Sequence, residues 1–221
     1  DGTPTLVVFD EFQDLLVARK DLDGLLRSRI QYHGDAAAYV FAGSEPSMLR
    51  ELFDRRERPF FGQADPVALD PLPVDEVLTD LATRFADEHL DPGDALGELA
   101  AFAAGHPQRT MLLCYLLSDR LVEGADPTPS LASEVISDAV QRTEPAHQAL
   151  WGQLSSTERV VLAAVADGIP PTSRALAAEH KLGRNALNAA ADRLVNQGHL
   201  IRRPSPAQLV DPLLAEWLRR R

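Results

Sequence analysis

The sequence has 221 residues, 45% hydrophobic and 25% charged, with a formal net charge of −11, the balance of a globular chain able to bury one or two cores. No apolar run approaches the roughly 20 residues that cross a bilayer. A single cysteine, Cys114, excludes an internal disulfide or a cysteine-based metal cluster, and a reducing, cytoplasmic setting is the default expectation.

In chain order, Asp1-Gly2-Thr3-Pro4 carries neither an initiator Met nor a signal peptide, so position 1 is expected to lie inside a longer chain. Thr5-Leu6-Val7-Val8-Phe9 is a β-branched apolar run ending in Asp10-Glu11, as in a parallel strand covered on both faces. Residues 12–30 read as a helix that Gly24 weakens. Residues 37–42 (Ala-Ala-Tyr-Val-Phe-Ala) read as a second buried strand, closed by Gly43-Ser44. Residues 46–56 have a helical pattern, and a third short strand is expected near Val67-Ala68-Leu69. This amounts to half of an α/β sheet.

From Val74 the strand signals stop. Residues 75–89, 92–104, 108–123 and 131–143 all space their apolar side chains as helices do, with Pro- and Gly-containing breaks between them. Pro145 is expected to disturb the last of the four. Ser155-Ser156-Thr157-Glu158 then has the form of a capping box and opens a helix to about Ala166. A short helix over 173–180, a turn at Lys181-Leu182-Gly183 and a helix over 184–196 follow. Two strands, 198–203 and 208–210, and a final helix from Pro212 complete the order of a winged helix.

Several residues here have the character of a reaction site. Two acids at the carboxyl end of an apolar strand suit Mg²⁺ and water: Asp10 is the candidate metal ligand, and Glu11 the group that orients or deprotonates an attacking water. The bland alternative is a solvated acidic loop. The six histidines have no metal-ligand spacing, and no H-E-x-x-H or G-x-S-x-G motif occurs, which argues against zinc or serine hydrolases.

With this order of elements, the chain resembles the AAA+ superfamily, and most closely the archaeal-type and STAND ATPases that end in a winged helix. The resemblance implies an α/β fold with a partial parallel-sheet AAA+ core over 1–73, an all-α helical lid over 74–153 and a winged-helix domain over 154–221. It implies ATP and Mg²⁺ as cofactors. Asp10 and Glu11 match the Walker B acids, and Ser44 falls at the sensor 1 polar position, where it also suits an N-cap. Arg55, Arg56 and Arg58 occupy the region of an arginine finger, which would act on a neighbouring subunit in a homo-oligomer. Relatives often carry an Arg after an aromatic–Gly step, which here reads Phe61-Gly62-Gln63, and Gln63 supplies no charge. Gly105-His106-Pro107 resembles the G-x-P element of STAND lids, so Gly105 and Pro107 are expected at the nucleotide, with Arg109 near the sensor 2 position. The simpler reading of Gly105 is a helix C-cap. No G-x-x-x-x-G-K-[ST] occurs in residues 1–221, so tight nucleotide binding by this stretch alone is not expected.

Charge is divided unevenly. Residues 150–221 carry ten Lys/Arg against six Asp/Glu, a net of +4; residues 1–149 carry twelve against 27, a net of −15. Any nucleic-acid contact is therefore expected to lie at the basic end, though +4 is within the range of ordinary domains. On the helix over 184–196, Leu187, Ala191 and Leu194 mark a buried side, while Arg184, Asn185, Asn188 and the opposing Asp192 face away. Arg184, Asn185 and Asn188 are candidates for base or phosphate contact, and Arg202 and Arg203 on the wing for phosphates. The partner is thus DNA or another protein, with no membrane. Two rivals stand beside an ATPase: a STAND-like switch with little turnover, and a winged-helix DNA-binding regulator whose α/β part has no nucleotide role.

Overall fold

The computed structural model describes residues 5–19, 21–44, 46–201 and 206–221, with the side chains at 16, 17, 46 and 47 left aside. The described residues fall into two compact units. One holds the residues up to Ala68, with Asn196–Gly198 grouped with them, and the other holds Leu69–Val195 and His199–Arg221.

In the first unit, strand β1 (Thr5–Phe9) pairs in parallel with β2 (Ala37–Phe41), Thr5 opposite Ala37 and Phe9 opposite Phe41. A parallel pair needs a crossover, and α1 (Asp14–Ala18) and α2 (Leu22–Ile30) provide it. The single helix expected over 12–30 is two, because the chain turns at Arg19, whose guanidinium is tied to Asp21 at 2.6 Å. Helix α3 (Pro46–Asp54) follows β2.

One face of the sheet is packed. Phe9, Phe41, Phe53 and Phe60 surround Phe12, whose ring lies 4.5 Å from that of Phe41, and Phe12, Leu52 and Phe60 form the buried centre of this unit. The other face is not covered among the described residues: Leu6 is 63% and Val8 58% exposed. The expectation of strands buried on both faces is therefore corrected. An unbroken apolar run carries no period that tells one covered face from two. The third strand expected near Val67 also does not form. Val67 and Leu69 are exposed and belong to no ladder, and the prolines at 66 and 71 remove donors that a ladder would use.

The second unit is helical. Helices α4 (Val74–Asp87), α5 (Gly93–Ala103), α6 (Pro107–Val122) and α7 (Pro129–Gln153) match the four expected helical stretches closely. The exception is the end of α7, which passes through Pro145 to Gln153. The carbonyl that Pro145 leaves without its helical donor belongs to Gln141, an exposed residue, so hydration offsets part of the loss and tertiary packing carries the helix on.

After α7 come α8 (Ser156–Ala166), α9 (Arg174–Glu179), α10 (Arg184–Asn196), the antiparallel pair β3 (Leu200–Ile201) with β4 (Gln208–Leu209), and α11 (Pro212–Arg219). The capping box forms as expected: the Ser155 hydroxyl accepts from the Glu158 amide, and Glu158 accepts from the Ser155 amide at 2.8 Å. One continuous apolar cluster runs from Leu81 in α4 to Leu218 in α11, with Leu113, Leu117, Leu187, Leu194 and Leu213 fully enclosed. Trp217 is buried, with its ring 6.1 Å from that of Trp151.

Candidate functional site

The carboxyl ends of the two parallel strands lie together, because Ala42 donates to the Phe9 carbonyl at 2.8 Å and Phe12 donates to the Ala42 carbonyl at 2.9 Å. These bonds clamp the segment 10–13 against 42–44. Phe12, 2% exposed, anchors the first of these in the aromatic core. Asp10 and Glu11 are thereby held at the strand end while remaining exposed.

Glu11 has φ +46°, a left-handed conformation uncommon outside glycine. The turn projects its carboxylate across to the end of β2. One oxygen, Oε2, accepts from the Ser44 hydroxyl at 2.8 Å, from the Ser44 amide at 3.3 Å and from the Gln13 side-chain amide. The hydrogen bond from Gln13, then those from Ser44, hold the Glu11 carboxyl below its ordinary value. Asp10 accepts from the Glu11 amide at 3.0 Å through Oδ1.

Gln13 belongs to no motif legible in the sequence. Its side chain is 3% exposed, and it reaches Ser44 Oγ at 3.5 Å as well as Glu11. Gly43 admits it: a Cβ at that position would lie 2.0 Å from Gln13 Oε1. The only sequence signal was a polar residue immediately after the buried Phe12, and that pattern is common in loops.

The residue types fit Mg²⁺. Asp10 offers hard oxygen donors at an open strand end, and no cluster of three or more His, Cys, Asp or Glu groups suited to a metal occurs among the described residues. One carboxylate with water and phosphate oxygens completing the shell is the usual way this ion is held. A closed all-protein cage is not present there.

The three arginines differ in their engagement. Arg58 is fixed by Glu51 at 2.5 Å and by the buried Asp23 at 3.3 Å. Arg55 reaches Glu51 only at 3.7 Å and is largely exposed, as is Arg56.

In the second unit, Gly105 has φ +77°, and a Cβ there would stand 2.2 Å from the Leu72 carbonyl, while the Leu72 amide donates to the Gly105 carbonyl at 2.9 Å. Only glycine permits that approach. His106 is the N-cap of α6, accepting from the Arg109 amide at 3.4 Å, and Pro107 takes the first helical position. Burial lowers the His106 pKa.

The Arg109 guanidinium is engaged at Asp211, with Nε to Oδ1 at 3.0 Å and the second nitrogen to Oδ2 at 2.6 Å. His147 Nε2 lies 3.3 Å from the same Oδ2. Burial alone would raise the Asp211 carboxyl, but His147 and Arg109 outweigh it and hold it well below the usual range. Asp211 also caps α11 by accepting from the Leu213 amide at 2.9 Å. It thus joins α6, α7 and α11, a role the sequence did not announce. Among the described residues, His147 Nδ1 and Thr110 Oγ1 are buried without a partner.

On α10, Leu187, Ala191 and Leu194 are fully buried, while Arg184 and Asn185 are exposed and Asn188 is half-buried. Arg202 and Arg203 lie outside the described residues. No helix among the described residues is long and apolar enough to cross a membrane.

No family model matches the sequence, and no curated protein is significantly similar to it. Among solved structures, a Walker-type ATPase of Pyrococcus abyssi superposes with a TM-score of 0.76 at 20% identity, over 98% of this chain and 63% of that one. The chain thus has the fold of part of a Walker-type ATPase, and spans less than two thirds of that protein's length.

Proposed function

We propose that this chain is the Walker B, lid and C-terminal winged-helix portion of an AAA+/STAND-type ATPase, in which ATP binding or hydrolysis is coupled to contact with DNA or a protein partner. The observation that carries the reading is Glu11 at the end of β1 hydrogen-bonded to Ser44 at the end of its parallel neighbour β2. Ligands of open α/β sheets bind beyond the carboxyl ends of the strands, where both residues lie. A P-loop from outside these residues would cradle the phosphates. Bound Mg²⁺ would supply charge neutralisation at the phosphate oxygens, with Asp10 as its carboxylate ligand.

In this reading Glu11 orients the attacking water, and Ser44 holds Glu11 and stands near the terminal phosphate. Gly105, Pro107 and Arg109 form the lid's part of the nucleotide site, and Arg55 and Arg56 are offered to a neighbouring subunit. On α10, the outward Arg184 and Asn185, with Asn188, would meet a DNA groove, and Arg202 and Arg203 its backbone.

The test is ATP hydrolysis by the full-length protein. Glu11→Gln is expected to abolish turnover while ATP still binds, and Asp10→Asn to remove the Mg²⁺ dependence of binding. If Glu11→Gln leaves turnover and biological output unchanged, the catalytic reading is wrong. The 221-residue chain alone is expected to show no micromolar ATP affinity. DNA binding, if present, would weaken with salt and with Arg184→Ala.

A STAND-like switch with little turnover is the second reading. The engagement of Arg58 by Asp23 and Glu51 favours it, because it removes one of three candidate fingers. A switch would bind ATP and lose little output on Glu11→Gln.

A further inference from the structure

Gln13 is an unusual residue to find buried. A carboxamide removed from water costs stability unless both of its ends find partners. Its Nε2 serves Glu11 Oε2 and, more distantly, Ser44 Oγ, but its Oε1 has no hydrogen-bond partner among the described residues. The amide orientation follows from chemistry, since turning it over would point a carbonyl at a carboxylate. A methionine would fill nearly the same space with no orphaned oxygen. The side chain is thus poorly chosen for packing and well chosen for one contact.

That contact constrains an otherwise exposed, three-torsion side chain. The three donors that hold Glu11 all arrive at Oε2, which leaves Oε1 outside the set. We propose that Gln13 is a positioning residue: together with Ser44 it pins Oε2 of Glu11, so that Oε1 is the oxygen presented to the attacking water. The inference rests on the reading of Glu11 as the water-orienting acid. Its physical content is preorganisation, in which the carboxylate does not search among rotamers when the nucleotide arrives. Gly43 belongs to the same device, because any side chain there would displace the amide.

Two measurements test the proposal separately from that reading. In the 221-residue chain, the Gln13 side-chain amide resonance is expected downfield and slow to exchange with water, and to return to ordinary values in Glu11→Ala. A resonance indifferent to Glu11→Ala overturns the pinning contact. In the full-length ATPase, Gln13→Met, with Gln13→Leu beside it, is expected to keep or raise the thermal midpoint. The ATP KM should stay within about twofold, while kcat falls about tenfold to a hundredfold. A falling midpoint with kcat and KM spoiled together would assign Gln13 a structural role only and overturn the proposal. Unchanged kcat in both variants, while Glu11→Gln abolishes turnover, overturns it as well. Unchanged turnover in Glu11→Gln instead brings down the catalytic reading of Glu11, and the amide resonance still reports whether the contact exists.

Discussion

Glu158 shows how much one residue can carry when its partners are both near and far in sequence. It closes the capping box with Ser155 and also pairs with Arg193 of α10 at 2.7 Å. The hydrogen bond from Arg193, followed by that from Ser155, lowers its pKa to about 2. A carboxyl depressed on folding contributes stability that is full above the unfolded value, near 4.3, and is lost as pH falls through the folded value. The urea-unfolding free energies of wild type and Glu158→Gln are therefore expected to differ most above about pH 5 and to converge as pH falls toward 2. A gap that stays constant over that range would mean that Glu158 acts through shape and not through charge. Ser155→Ala, which deletes only the hydroxyl half of the box, should cost about 1 kcal/mol. Cys114 makes a simpler case: burial pushes its thiol up to about 11, and alkylation should proceed only on unfolding. The box and the paired acids were legible in the sequence because each is local. The pairing of Glu158 with Arg193 was not, since no spacing rule joins residues on two separate helices.

At the scale of elements, structure departs from local sequence rules where a tertiary contact overrides them. Pro145 is a helix breaker in isolation, yet α7 runs through it, because Leu131, Val135, Ala139, Val140 and His147 are already buried along the same helix. The apolar run of β1 implied two covered faces, but only the Phe9 side is packed. The start of α11 at Pro212 was legible, and the partners of its cap were not. Asp211 binds Arg109, which is 102 positions away. The guanidinium and carboxylate are only 16% and 18% exposed, so removing one charge leaves the other poorly solvated. Asp211→Asn keeps an N-cap side chain but is expected to cost about 2–4 kcal/mol in urea unfolding, less than a fully enclosed pair would lose. Arg109→Met combined with Asp211→Asn removes both charges and should recover part of that loss. If the double variant is as unstable as the sum of the singles, the two side chains are not coupled. The same pair of measurements bears on the nucleotide reading, because an Arg109 held by Asp211 must trade one anion for another to meet a phosphate.

At the scale of the molecule, the two units are stabilised very unequally. Among the described residues, the apolar cluster from Leu81 to Leu218 interlocks side chains of eight helices, α4 to α11. Among the described residues, the apolar side chains buried in the unit built on β1 and β2 are Phe12, Leu52 and Phe60, with half-buried neighbours around them. Among the described residues its sheet has two strands, and the face bearing Leu6, Val8 and Val40 is exposed. Isolated two-stranded pairs are marginal in water, and regions with few buried apolar contacts open at low free energy. In the 221-residue chain, backbone amides of β1 and β2 are therefore expected to exchange with deuterium at least about a hundredfold faster than those at the centres of α5 and α6. Helix centres such as Leu99 and Leu113 should exchange only with cooperative unfolding of the second unit. Equal protection across both units would show that the strand pair draws stability from something other than the contacts described, and that the exposed face is no weakness. The measurement also bears on the site, because Glu11 and Ser44 are held together only as long as the ends of these two strands stay paired.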